Sequence, residues 1–397
     1  MKLSRFIELF GDPFLIDEKE KVPFKNAIAE TVKGPFGSDM KKSLFVPKSD
    51  TTYKVFSQVN AIQKDATAGD YYISAEYYEK MKRFTVNSGD YIVTCDGTLG
   101  KIYCLPENIE KGVISSSLLR IALNKDVISN VYFETIWNMY MLPMLVRRSR
   151  NACLVHLPSA KDIGNLPVPI PNIDKQRDYD KFSNQIDKSK FILQKMIEKL
   201  ELLKKSRFIE LFSESPKARL ADTCKLINGD RGKNYPSSND RVESGIPFIN
   251  AGNLNGKNID FSGMEYITEE KYSTLKTGKV QKGDILYCLR GSLGKIGLVD
   301  FDEGLIASSL VIIRCDQNKL LPDFLLCALG SNEVKQQLLK ANNGSSQPNL
   351  SAASVKEYKV TCPSINEQKE FSEFIKQIDK SKLILQKQLD DLVGETK

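Results

Sequence analysis

Two short runs have the residue types of a phosphate-binding turn, GTLGK (97–101) and GSLGK (291–295). A P-loop separates its glycines by four residues and follows its lysine with a hydroxyl for Mg²⁺. Here two residues separate the glycines, and Ile102 and Ile296 follow the lysines. The runs therefore read as tight turns between strands, each with a lysine able to face a phosphate. Pro322-Asp323 followed by Glu333-Val334-Lys335 formally fits a nuclease pattern. That chemistry needs carboxylates and a lysine converging on a metal from adjacent strands. LPDFLLCALGSNEVKQQLLK (321–340) reads instead as helix, and the fit is set aside as chance. His156 is the only histidine, and no serine or cysteine lies in a nucleophile-elbow context. Nor is there a Gly-rich cofactor loop paired with an acidic-Pro-Pro-aromatic motif. The chain is expected to carry out no catalysis alone and to bind no metal: catalytic residues none, metal ligands none.

What remains are loops rich in side chains that meet base edges and phosphates. In the first block these are KGPFGSDMKKS (33–43), the GTLGK turn and RRSRNA (147–152). The candidate DNA-contacting residues there are Lys33, Ser38, Lys41, Lys42, Thr98, Lys101, Arg147 and Arg148. In the second block they lie in NGDRGKNYPSS (228–238), FINAGNLNGKN (248–258), the GSLGK turn and NNGSSQPNLS (342–351). These give Arg231, Lys233, Asn234, Tyr235, Asn250, Asn253, Arg290, Ser292, Lys295, Gln347 and Asn349. Gln347 and Asn349 have amides suited to adenine, whereas Arg231, Arg290 and Arg147 suit guanine.

Those loops sit on a duplicated frame. IDKSKFILQK (186–195) returns as IDKSKLILQK (378–387), and Pro171 and Gln176 return as Pro363 and Gln368. GDYIVTCDGTLGKI (89–102) likewise matches GDILYCLRGSLGKI (283–296), and ISSSLL (114–119) matches IASSLV (306–311). The halves are diverged copies of one unit of roughly 190 residues, too long for a solenoid repeat.

Each copy ends in a long amphipathic helix. Phe182, Ile186, Leu193, Ile197, Leu200 and Leu203 recur at spacings of three, four or seven. Phe374, Ile378, Leu385, Leu389 and Leu392 repeat the phase, and Ser189 and Ser381 share one place in the two stripes. These residues are expected to pair the helices as an antiparallel coiled coil. The first helix ends SRFIELF (206–212), which the C-terminus lacks and the N-terminus carries (4–10). Residues 1–10 are thus expected to complete the C-terminal helix, making the chain pseudo-cyclic and pseudo-two-fold. The expected organisation is 1–10, a helical segment; 11–171, the first α+β block; 172–212, the central helix; 213–363, the second block; and 364–397, the C-terminal helix.

Composition excludes several classes. The 397 residues are 41% hydrophobic and 27% charged, with a net charge of +7. No apolar run reaches the ~18–20 residues of a membrane span, and the N-terminus lacks a secretory h-region. Eight scattered cysteines without a CxxC pair read as reduced thiols of a cytoplasmic protein. The basic balance permits nucleic acid without requiring it.

Taken together, these residues resemble the specificity subunit of type I restriction–modification systems over essentially the whole chain. GPFGSDMKKS (34–43) looks like the opening of a first target-recognition domain. GDRGKNYPS (229–237), GIPFINAGNLNG (245–256), GDILYCLRGSLGK (283–295) and NNGSSQPNLSA (342–352) look like a second. PNIDKQRDY (171–179) and PSINEQKEF (363–371) resemble the starts of that family's long helices. The resemblance implies an α+β fold of two repeated target-recognition domains separated by two long antiparallel helices. It also implies a non-catalytic subunit whose domains each read one half of a bipartite, asymmetric site in double-stranded DNA. The helices would act as a spacer and dock two methyltransferase subunits. S-adenosylmethionine would sit on those partners, and ATP and Mg²⁺ on the restriction subunits. A helix of about 38 residues spans at most ~57 Å, against roughly 34–36 Å for half-sites one DNA turn apart. The alternative is a duplicated α+β protein-interaction scaffold without DNA specificity.

Overall fold

Strands β1 (Ile28–Lys33), β2 (Tyr91–Thr94), β3 (Ile102–Cys104) and β4 (Leu118–Leu123) form an antiparallel sheet in the order β1-β4-β2-β3. Their apolar runs are nearly continuous because both faces are covered. Tyr91, Val93, Leu119 and Ile121 point into one core, and Ile92 and Leu118, facing the other way, into a second. This is the two-residue period of a strand with no solvent side. The first core is closed by helix α2 (Asn130–Ile136), which continues through a wider turn (Trp137–Met141) to Arg148. It supplies Tyr132, Phe133, Ile136 and Trp137.

The computed structural model describes residues 2–148, 156–232, 235–341 and 349–394. They fall into two compact units, Met1–Ile192 with Leu389–Lys397, and Leu193–Gln388. The second unit repeats the sheet with β5 (Cys224–Asn228), β6 (Ile285–Cys288), β7 (Ile296–Leu298) and β8 (Leu310–Cys315), ordered β5-β8-β6-β7. Ile285, Tyr287, Val311 and Ile313 face one core; Leu286, Cys288, Leu310 and Ile312 face the other. The repeated Gly-Asp before the second strand has a structural cause. Asp90 and Asp284 are buried and each meets an arginine of the neighbouring strand, Arg120 at 3.3 Å and Arg314 at 2.8 Å.

Between residues 173 and 212 no glycine or proline interrupts helix α3 (Ile173–Phe212), which runs for 40 residues. Helices α4 (Pro322–Leu329) and α5 (Ile365–Val393) follow. One buried amide locks each long helix to its block. Gln176 accepts from Ser129 N at 2.9 Å and donates to Val127 O and Pro171 O at 2.9 and 2.7 Å. Gln368 accepts from Leu321 N at 2.8 Å and donates to Lys319 O and Pro363 O, both at 2.9 Å.

Within the second unit α3 and α5 run antiparallel, joined by Glu201–Lys382 at 2.6 Å and Lys204–Asp379 at 3.1 Å. Ile378 is buried there, while Leu193, Ile197, Leu200, Phe374 and Leu385 are half-buried. Leu203 departs from its expected place in the stripe. It is 44% exposed, and the Lys204–Asp379 ion pair occupies that turn instead. In the first unit Ile186 and Leu389 are buried, and Phe182 and Leu392 half-buried.

The N-terminal repeat folds as helix α1 (Lys2–Phe10), and Phe6 is 1% exposed. Phe6 packs on Tyr132 and Tyr179, with ring centroids 5.3 and 5.4 Å away. Its copy Phe208 meets Phe324 and Phe371 at 5.6 and 5.5 Å. The same aromatic box is thus built twice, once with α1 and once with the end of α3.

Candidate nucleic-acid interface

Antiparallel register brings the candidate loops to one end of each sheet. In the first block Lys33 lies opposite Leu119, Leu118 opposite Thr94, and Val93 opposite Ile102. The 34–44 loop, the 95–101 turn and the 115–117 turn therefore leave the sheet together. In the second, Asn228 lies opposite Val311, Leu310 opposite Cys288, and Tyr287 opposite Ile296. The 229–232, 289–295 and 307–309 segments converge in the same way.

A returning segment joins each cluster. Leu157 N donates to Cys95 O at 2.7 Å, and Leu350 N to Leu289 O at 2.8 Å. One residue earlier, His156 bridges Asp96 and Asn349 bridges Arg290. The Gly-x-Leu-Gly-Lys turns stand rigidly beside them. Gly100 and Gly294 have φ of +69° and +75°, and a Cβ would fall 2.2 Å from Leu142 Cδ1 or 2.7 Å from Leu338 Cδ2. Only glycine suits both the backbone and the helix pressed against it. Trp137 Nε1 donates to Gly100 O at 2.9 Å, fixing the first turn from the core side.

Several candidates stand on this end and are exposed: Lys33, Ser38, Lys41, Lys42, Thr98, Lys101, Arg231, Arg290, Ser292 and Asn349. Burial pushes the Cys95 thiol up, against a hydrogen bond with Lys33 that places this lysine beside the turn. Arg231 Nη2 donates to Ser308 O at 3.3 Å, tying its loop to the 307–309 turn. Arg147 lies over the Phe14 ring at 5.2 Å.

Four candidates have structural duties instead. Asn253 is 3% exposed, accepts from Asn250 N at 3.0 Å and donates to Asp260 O at 3.1 Å. Its counterpart Asn60 is fully buried and closes the matching loop through Ser57 N, Asp65 O and Ala68 O. Asn250 caps its own turn by accepting from Gly252 N at 2.7 Å. Lys295 Nζ donates to Ala251 O at 3.1 Å and so braces the loop, whereas the matching Lys101 is exposed. Tyr235 packs edge-on against Phe248 in a small core. The side chain of Arg148, and Lys233, Asn234 and Gln347, lie outside the described residues.

Sequence reasoning missed two features. Asp96 and His156 are far apart in the chain, yet His156 Nδ1 lies 2.5 Å from Asp96 Oδ1. Phe36 stands 82% exposed in the 34–44 loop, an aromatic offered to solvent. The Asp323, Glu333 and Lys335 set sits on helices, where Asp323 meets Lys376 at 3.9 Å and Glu333 meets Lys217 at 2.6 Å. Among the described residues no group of three or more His, Cys, Asp and Glu could hold a metal, and no helix is long and apolar enough to cross a membrane.

Comparison with known proteins follows the same lines. Residues 213–393 match the family described as type I restriction modification DNA specificity domain. The chain is 23% identical over 327 residues to the type I restriction enzyme MjaVIII specificity subunit of Methanocaldococcus jannaschii, covering 75% of this chain and 74% of that one. It is 29% identical over 140 residues to the Escherichia coli EcoBI specificity subunit, covering 35% and 30%. A chain solved in work on assembly and conformational transition of the type I R-M system shares the fold, with TM-score 0.61, 16% identity and coverage of 94% and 93%. So does the S subunit of a type I restriction–modification system from M. genitalium, with TM-score 0.51, 16% identity and coverage of 94% and 92%.

Proposed function

We propose, from the match of residues 213–393 to the type I restriction modification DNA specificity domain and the likeness to type I specificity subunits, that the chain is the DNA sequence-recognition subunit of such an enzyme. Each block reads one half of a bipartite, asymmetric site. The observation that carries this reading is the duplicated sheet end, where four chain segments present Lys, Arg, Asn and Ser side chains together. The mixture suits the task, since cations hold phosphates while amides and guanidinium groups read base edges.

The long helices set the separation of the half-sites and dock two methyltransferase subunits, with restriction subunits joining for cleavage. Met196, Leu202, Ile209, Leu383 and Ile384 support the docking role, because all five are large, apolar and exposed on these helices. Of these, Met196 and Ile384 line one apolar depression, and adjoining apolar side chains on a surface favour burial by a partner. In this reading the chain is non-catalytic. Its partners carry S-adenosylmethionine for adenine methylation and ATP with Mg²⁺ for restriction, and base flipping belongs to the methyltransferase.

The test is to express the chain with its methyltransferase partner and sequence the host methylome by single-molecule reads. The expected result is one motif with two fixed halves, an unspecified spacer and a methylated adenine in each half. Absence of sequence-specific methylation, together with no gel shift by the assembled complex, would overturn the reading.

A further inference from the structure

The two blocks share a scaffold, and at one matching place on it the side chains differ in chemistry. The turns keep Gly97, Leu99, Gly100 and Lys101 as Gly291, Leu293, Gly294 and Lys295. Both receive the returning segment through the same backbone bond, Leu157 N to Cys95 O and Leu350 N to Leu289 O. At the bridge itself the chemistry changes. In the first block the backbone bridge carries a carboxylate and an imidazole in contact, Asp96 with His156; in the second the bridged residues are an arginine and an asparagine, Arg290 and Asn349, both exposed. A frame kept constant while the paired side chains change is what a recognition position requires, since rigid support and variable contact are separate demands.

Resting on the DNA-recognition reading above, we propose that the bridge pair is specificity-determining in each block. Asp96–His156 takes the exocyclic amino group of a base in the first half-site, and Arg290–Asn349 takes a guanine or adjacent adenine in the second.

The side-chain geometry leads there. The His156 side chain is 74% exposed and that of Asp96 35% exposed. Asp96 engages Nδ1 at 2.5 Å, which fixes the proton on that nitrogen in the neutral ring and leaves Nε2 as an acceptor. Gln58 Nε2 donates to Asp96 O at 3.0 Å, holding the acid's backbone in place. The pair thus offers acceptors, Nε2 and the second carboxylate oxygen, and in the major groove acceptors select adenine N6 or cytosine N4. In the second block the donors of Arg290 match guanine O6 and N7, and the amide of Asn349 matches adenine N6 and N7. The Cys288 thiol, 3.0 Å from Arg290 O, steadies the backbone at that position.

The experiment uses the assembled complex with its methyltransferase partner and compares methylation motifs of wild type, H156A and the exchange variant D96R/H156N. H156A is the milder variant because the ring is exposed. It should relax one position of the first half-site, lowering discrimination between an amino-bearing base and its competitors by between about fivefold and about 150-fold. D96R/H156N should move that position from adenine or cytosine toward guanine; the wild-type motif itself says which amino base is read. The second half-site should stay unchanged in both variants, which also reports that the chain has folded. A wild-type first half-site in H156A, or altered recognition in the second, would overturn the assignment. Failure of wild type to methylate any defined motif would count against the DNA-recognition reading itself. In the second block, R290A that weakens all sequences alike and lowers the salt dependence would mark Arg290 as a phosphate contact and refute its base-reading role.

Discussion

Replacing Gln368 with leucine isolates the bond that fastens the C-terminal helix to the second block. The side chain is fully buried. Leucine removes its amide while keeping much of the volume, so packing loss contributes little. Three backbone groups lose their partner: Leu321 N, Lys319 O and Pro363 O. A buried polar group left without a partner costs about 1–3 kcal/mol. Lys319 O keeps a weak contact from the Cys362 thiol at 3.5 Å, so the lower end of that range applies to it. With the lower end taken for all three groups, the loss is about 3 kcal/mol. At an m-value of about 2–3 kcal/mol/M, this shifts a urea midpoint down by roughly 1–1.5 M. Far-UV circular dichroism would read the shift, with the exposed Gln377→Leu as a control expected to stay within about 0.5 kcal/mol of wild type. Gln176→Leu should cost the same, because its amide also makes three bonds. Its transition can be followed by the only tryptophan, Trp137, buried in the first core. A loss below about 1 kcal/mol in both variants would refute the reasoning, since the amides would then be replaceable by water or by backbone shifts.

Further expectations rest on single contacts. Phe6→Ala should cost about 3–5 kcal/mol by opening the box around Tyr132 and Tyr179, read from the Trp137 thermal transition; an unchanged transition would detach α1 from the core. Asp379 lies in a half-buried site where burial works against its charge, but hydrogen bonds from Lys257 and Lys204 hold its carboxyl below the usual range. Its stabilising contribution is therefore complete above the unfolded carboxyl pKa of about 3.9 and is lost as pH falls through the depressed folded value. Asp379→Asn should be less stable than wild type at pH 7, by about 1 kcal/mol, and the two should converge on acidification. Asn253→Ala should lower stability by about 2 kcal/mol through its two lost loop bonds while leaving the methylation motif intact; a relaxed motif in a stably folded variant would return Asn253 to the readers.

The repeat was legible because it recurs where both copies share a constraint. The helix faces, the Pro-Gln pairs and the Gly-Asp before each second strand all answer to one packing solution used twice. The extent of α3 followed from the absence of glycine and proline. The roles of polar residues were less legible. Gln176 and Gln368 could be matched in sequence, but a buried amide and a solvated one have the same letter. By type and spacing Asn253 reads as a base contact for that reason, although it and its counterpart Asn60 each close a loop. Lys101 and Lys295 occupy matching positions, yet among the described residues it is Lys295 that bonds a carbonyl, Ala251 O, while Lys101 is exposed. The Asp96–His156 pair is set by strand register and the return of a distant segment, which no local pattern records. Leu203 fitted the helical stripe by spacing alone and lost its place to an ion pair.

The most direct test of the two-reader account exchanges one block. Residues 213–363 would be replaced by the corresponding block of a relative with a different motif, and the complex with methyltransferase sequenced for its methylated sites. The account predicts that one half of the bipartite motif becomes that of the donor, while the other half and the spacer remain. A chimera that folds and methylates but changes both halves, or neither, would contradict it.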